Sequence, residues 1–212
     1  MHGNRTLRAR HLWSGTAAIA MLATFVGCDS GQGVNNTTET PSAFTSTDGA
    51  IDDQQPMVES AVAQIRPSST GNVEGSVTFS AREDDRDMQV SVELTGLEPG
   101  LHGFHVHEVG DCSADDASSA GGHLEPYDAP HGSPGATPHH VGDMGNIEAD
   151  QDGRVSSELR FPDLAFYGPA SVLQKAVVIH RNADDLDSQP AGDAGERVGC
   201  GVIQSDRQAL IE

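Results

Sequence analysis

The stretch Leu101-His102-Gly103-Phe104-His105-Val106-His107 decides the reading of this chain. It follows a turn signal, Leu97-Glu98-Pro99-Gly100, and it reads as a strand. Successive side chains on a strand alternate between faces, so His105 and His107 project to one side. Two imidazoles on one rigid face can grip one metal ion. Taken alone, such a pair is more often a packed or solvated feature than a metal site.

The same texture continues on both sides. Val73-Glu74-Gly75-Ser76-Val77-Thr78-Phe79 alternates, and so does Met88-Gln89-Val90-Ser91-Val92-Glu93-Leu94, with Asp84-Asp85-Arg86-Asp87 marking a turn between them. Further strands are expected over 145–148, 154–161, 175–180 and 198–203. Asp152-Gly153 is a hairpin signal between the first two of these. Helical periodicity is never sustained, and no internal repeat occurs. About eight short strands over roughly 150 residues predict an all-β fold, an antiparallel sandwich or barrel. Two stretches interrupt it: 109–140, rich in Gly, His, Asp and Pro, and 181–197, rich in Asp and Gly. Loops this long are usually functional or disordered; the first ends at His140 and the second directly follows His180.

The flanks read differently. Arg5, Arg8 and Arg10 form a positive segment ahead of the apolar run from Leu12 to Val26, the pattern of a signal peptide over residues 1–27. That run is short for a membrane span, which needs roughly 20 apolar residues. Phe25-Val26-Gly27-Cys28 resembles a bacterial lipobox, with Phe25 where Leu is usual. It implies lipid on Cys28 and attachment to a membrane. Ordinary cleavage near Gly27, leaving Cys28 as a free thiol, is the alternative. Residues 28–60 lack apolar period and read as a flexible tether. The globular domain is expected over 61–212.

Composition narrows the function. The chain has 212 residues and a formal charge of -20, from 12 Lys and Arg against 32 Asp and Glu. Nucleic acid and anionic membrane surfaces both select a basic surface, so neither is expected as a partner of the domain. Of the ten His, eight fall between His102 and His180. In the long loop, His123, His131, His140 and Asp143 offer three imidazoles and a carboxylate, a plausible tetrahedral zinc set. His180 follows the apolar run Val177-Val178-Ile179. With Cys28 lipidated, Cys112 and Cys200 are left to pair, and export is disulfide-permissive.

Gly103-Phe104-His105-Val106-His107-Glu108 and Gly199-Cys200-Gly201-Val202-Ile203 resemble the two signature regions of copper/zinc superoxide dismutases. Gly122-His123-Leu124-Glu125-Pro126, His140-Val141-Gly142-Asp143 and His180 with Asp184-Asp185 match between them, so the resemblance runs from about Ala61 to Ile203. It implies an eight-stranded Greek-key barrel with two long functional loops. It implies copper on His105, His107, His123 and His180, and zinc on His123, His131, His140 and Asp143, one ion of each per chain. His123 would be shared. Asp184 would link His105 to His131, His102 would support the barrel, and Cys112–Cys200 would be the disulfide. His139 adjoins a ligand, but the spacing to Asp143 selects His140.

The implied reaction is dismutation of superoxide to dioxygen and hydrogen peroxide as copper cycles between two oxidation states, an antioxidant defence outside the cytoplasm in the cell envelope or periplasm. Arg197 and His123 would be the catalytic side chains, Arg197 drawing in the anion. The loop 181–197 departs from the family in carrying no Lys, so steering would fall to Arg197 and Arg181. Two rivals remain: a module that stores copper and zinc without turnover, and a structural sandwich with vestigial ligands. Storage needs neither a steering cation nor a shared His123. The oligomeric state stays open, a homodimer included.

Overall fold

In the computed structural model, residues 57–81 and 87–206 are described. The expected signal segment 1–27, Cys28, the tether up to residue 56 and Asp84, Asp85 and Arg86 lie outside the described residues. Eight strands follow one another: β1 Ser60–Pro67, β2 Glu74–Ser80, β3 Met88–Thr95, β4 Gly100–His107, β5 Asp143–Ala149, β6 Val155–Phe161, β7 Ala176–His180 and β8 Arg197–Ser205. A single 3₁₀ turn, Ser118–Ala120, is the one helical element among the described residues. None of it is long and apolar enough to cross a membrane as a helix.

All pairings are antiparallel, in the order β5-β4-β7-β8-β1-β2-β3-β6. The sheet nearly closes on itself, with β5 and β6 as its two edges in contact. This is the all-β antiparallel Greek key that the strand pattern and the resemblance predict. The inward face of each strand forms the core, for example Val77 and Phe79 of β2, Val90 and Val92 of β3, and Phe104 and Val106 of β4, all fully buried. Removing such side chains from water supplies the main driving force for the fold.

Two expectations need correction. Asp152-Gly153 does form a turn, with Gly153 in the left-handed region (φ 72). The strands it joins do not make a hairpin, because β6 pairs with β3 and β5 with β4. The connection instead spans the gap between the sheet edges. Strand β1 is absent from the alternation readings because Ala61 and Ala63 face the core while Val62 faces outward. Over this first half of the strand the inward residues are the smaller ones, so hydropathy shows little contrast until Ile65. β7 is buried along its whole length, Val177 and Ile179 in the barrel core and Ala176 and Val178 beneath Ala117, Ala120 and Cys200. An uninterrupted apolar run is what a strand covered on both faces needs.

Candidate metal centre

Phe104 and Val106 face the core, so strand alternation turns His105 and His107 to the opposite side, beneath the long loops. The ladder is irregular at two places, between Gly103 and His105 and between Ile179 and His180. Such bulges re-aim side chains next to sites. His123 comes back from the loop through an isolated bridge to His107. His180 ends β7 directly opposite Arg197, the first residue of β8.

These four histidines converge, one ring nitrogen of each lying within 4.8 Å of the others. Their outer nitrogens are engaged. His105 Nε2–H donates to Asp184 Oδ2 (2.8 Å), His107 Nδ1–H to the Gly121 carbonyl (2.9 Å) and His180 Nδ1–H to the Gly195 carbonyl (3.1 Å). His123 Nδ1 lies 2.7 Å from Asp143 Oδ1. The remaining nitrogens, His105 Nδ1, His107 Nε2, His123 Nε2 and His180 Nε2, are buried without a hydrogen-bond partner. Buried polar atoms are rarely left so, and four lone pairs aimed together lack an electrophile.

Burial pushes His105 and His107 well below the usual histidine range, helped by repulsion from His123. His180 is lowered to about 4, again chiefly by burial. These rings are therefore neutral at physiological pH, the form in which imidazole binds a metal. An all-imidazole set suits copper.

The second set lies on the other side of His123. The Nδ1 atoms of His123, His131 and His140 stand 2.7, 3.0 and 3.2 Å from Asp143 Oδ1, and His123 and His140 Nδ1 are 3.4 Å apart. A tetrahedral zinc ion with bonds near 2.0 Å spaces its donors about 3.3 Å apart, so this cage has the right size. The N–H groups of Gly132 and His140 donate to Asp143 Oδ2 and aim the carboxylate. Burial works to raise the Asp143 carboxyl, but the hydrogen bond from His123 and those from the backbone hold it below the usual carboxylate range. His123 thus faces one set with Nδ1 and the other with Nε2. Asp184, buried, takes His105 on Oδ2 and His131 Nε2 on Oδ1 (3.0 Å), tying the sets together a second time.

Arg197 stands at the rim. Its two terminal nitrogens donate to the Ala117 and Gly121 carbonyls, each at 2.7 Å. Gly121 thus receives both Arg197 and His107. Ser68 and Thr70 hydroxyls donate to the Arg197 carbonyl at 2.6 and 3.1 Å. Half-burial lowers the guanidinium somewhat, yet it stays charged. A cleft of about 570 Å³ opens here, with His180, Gln189, Asp193 and Arg197 among its walls. A larger hollow of about 700 Å³ beside the disulfide contains none of the converging histidines.

The other predicted residues have separate places. His139 Nε2 meets Asp163 at 3.3 Å and lies outside the cage. His102 is buried with its ring nitrogens at the His180 and Glu98 carbonyls (2.9 and 2.8 Å), bracing the end of β7. Cys112 and Cys200 form a disulfide that fastens the long loop to β8. Sequence reasoning missed Asn146, Gln189, Ser68 and Thr70, whose side chains bond to backbone and so leave no pattern.

Fold and site together define a Greek-key barrel carrying two clusters that could each hold a metal ion and that have His123 in common. The family model for copper/zinc superoxide dismutase matches residues 73–203. An extracellular copper-zinc superoxide dismutase from Brugia pahangi is 39% identical over 145 residues, covering 64% of this chain and 71% of its own. The crystal structure of the clock protein EA4 superposes with a TM-score of 0.63 at 36% identity, over 69% of this chain and 94% of that one. The chain belongs to the copper/zinc superoxide dismutase family, and copper and zinc are its cofactors.

Proposed function

We propose that His105, His107, His123 and His180 hold copper, that His123, His131, His140 and Asp143 hold zinc, and that the chain dismutes superoxide outside the cytoplasm. The observation that carries this is the ring of four buried imidazole nitrogens without partners, one of them on a histidine that also faces the second set. Storage alone would need no such shared ring.

Bound copper supplies one-electron exchange in both directions, so that one superoxide leaves as dioxygen and the next, with two protons, as hydrogen peroxide. The chain does the rest. Arg197, fixed by two backbone carbonyls, keeps N–H groups for a small anion at the cleft. His123 can carry a proton at Nε2 whenever that atom is not a ligand, while Nδ1 stays on the zinc side. Asp184 fixes His105 and His131 through their outer N–H groups, setting ring orientation and basicity. His123, His131, His140 and Asp143 would hold a redox-inert zinc ion, which would keep His123 and its loop in place.

Export is supported by the disulfide and by the extracellular relative. The reading extends to a lipoprotein: signal 1–27, lipid on Cys28, tether 28–60 and enzyme domain 61–212, as a monomer or a homodimer. A Cys28→Ser protein should lose membrane fractionation; retention would remove the lipid anchor. The activity itself is tested by superoxide consumption in large excess over protein copper. The expected yield is one peroxide per two superoxide over many turnovers. Consumption that stops at one equivalent per copper would indicate storage.

A further inference from the structure

The loop 181–196 covers the cleft, yet it buries only Asp184, Gly192 and Ala194. Packing therefore does little to hold it, and its order must come from polar bonds. We infer that Gln189 is a positioning residue: its amide clips the backbone of His131, so that the loop over the cleft and the zinc set hold one another in place. This rests on the assignment of His131 to zinc.

The geometry is that of a strand pair made by a side chain. Gln189 Oε1 accepts the His131 N–H at 2.9 Å, and Gln189 Nε2 donates to the His131 carbonyl at 2.8 Å. A primary amide carries donor and acceptor side by side, the arrangement that a residue's own N–H and C=O require. Nε2 also donates to the Asp187 carbonyl (3.1 Å), which orients the amide within its own loop. His131 and Gln189 are 58 residues apart and belong to different loops.

His131 is thereby fixed at three points: its backbone by Gln189, its Nε2 by Asp184 and its Nδ1 toward Asp143. The Asp184 end is itself gripped. Asn146 Nδ2 donates to the Asp184 carbonyl (2.9 Å), and Asn146 Oδ1 accepts the Asp184 N–H (2.7 Å). Gly192 closes the arrangement. It sits at φ +67, and a Cβ there would strike Asp184 Oδ1 and His131 Nε2, so its backbone lies against their hydrogen bond. Gly192 N–H donates to the Ser188 carbonyl (2.7 Å), and its own carbonyl accepts from Asp185 N–H (2.9 Å). From there the chain passes Gly195, whose carbonyl receives His180, and reaches Arg197. Anything that holds His131 still is thus relayed through Gln189 to the loop beside Arg197.

The test uses the full chain loaded with copper and zinc, as wild type, Gln189→Ala and Gln189→Glu. Gln189→Glu keeps the acceptor for His131 N–H and loses the donor to its carbonyl. Zinc release into a chelator should quicken about tenfold in both variants, as loss of ordinary hydrogen bonds implies. Copper release, measured while zinc is in place, should stay within twofold. Cobalt(II) in the zinc set should show an altered visible spectrum in both variants. Zinc release within twofold of wild type would overturn the inference. So would faster loss of both metals in proportion with an unchanged cobalt spectrum, since that is general loosening. Wild-type protein that takes up no zinc would instead overturn the zinc assignment, and the clip's role with it.

Discussion

The four-histidine set draws three of its members, His105, His107 and His180, from strands, and the three-histidine–aspartate set draws its three histidines from the long loop and only Asp143 from a strand end. His105, His107 and His180 stand on β4 and β7, whose other faces are locked in the core, and one nitrogen of each is buried without a hydrogen-bond partner. His131, His140 and Asp143 already satisfy one another around one carboxylate oxygen. The barrel thus imposes geometry on the first set at the cost of unsatisfied lone pairs. The second relies on hydrogen bonds between loops. The first set takes its geometry mainly from the barrel, and the second from hydrogen bonds among its own members and from those of Gln189 and Asp184.

The largest effects separate the sets by ligand. His123→Ala should disturb both metals and abolish dismutation, because His123 is the one ring facing both. His131→Ala should lose zinc first while copper is retained. Metal content of the two variants after dialysis checks this; equal loss of both metals from His131→Ala would erase the distinction. Next comes Arg197→Glu. It should lower the second-order rate with superoxide by one to two orders of magnitude and leave both metals bound, since Arg197 touches carbonyls and no metal set. Full activity in this variant would remove Arg197 from the mechanism.

The metal-free domain should distinguish the sets by pH. An unfolded histidine takes up a proton as pH falls through about 6.5, while folded His180 resists until about 4. Its contribution to stability is therefore present above pH 6.5 and lost as pH falls toward 4, by a few kcal/mol. Asp143, held below the carboxylate range, keeps its contribution to lower pH still. Urea unfolding of the metal-free protein across this range should show the loss. A flat metal-free profile between pH 6.5 and 4 would contradict the burial argument.

The smallest effect is expected from salt. A net charge of -20 repels an anion at long range, while Arg197 attracts it at the cleft. Charges farther apart than about 8 Å are largely screened at physiological ionic strength. Salt should therefore weaken the distant repulsion more than the close attraction, and the rate should stay flat or rise slightly from very low salt. A steep fall would show that local positive charge dominates steering.

Much of this could be read from the residues. β2, β3 and β4 carry Val, Leu and Phe inward with polar residues between, so period two is plain. β1 hides because two of its three inward residues are alanines, Ala61 and Ala63, with the larger Val62 facing outward between them. The Asp152-Gly153 turn was visible, but which strands pair across the sheet depends on long-range contacts that a local signal does not contain. The histidines and Asp143 stood out by type and spacing, and the structure brings those residues together. The supports did not stand out. Gln189, Asn146, Ser68 and Thr70 act on backbone N–H and C=O groups, and any chain offers those at every position.

The most direct test is metal content by mass spectrometry of the purified domain after loading with copper and zinc, paired on the same sample with a superoxide assay. One copper and one zinc per chain, with catalytic dismutation, is the predicted result. Zinc alone in copper-replete protein, or both metals bound without turnover, would contradict it.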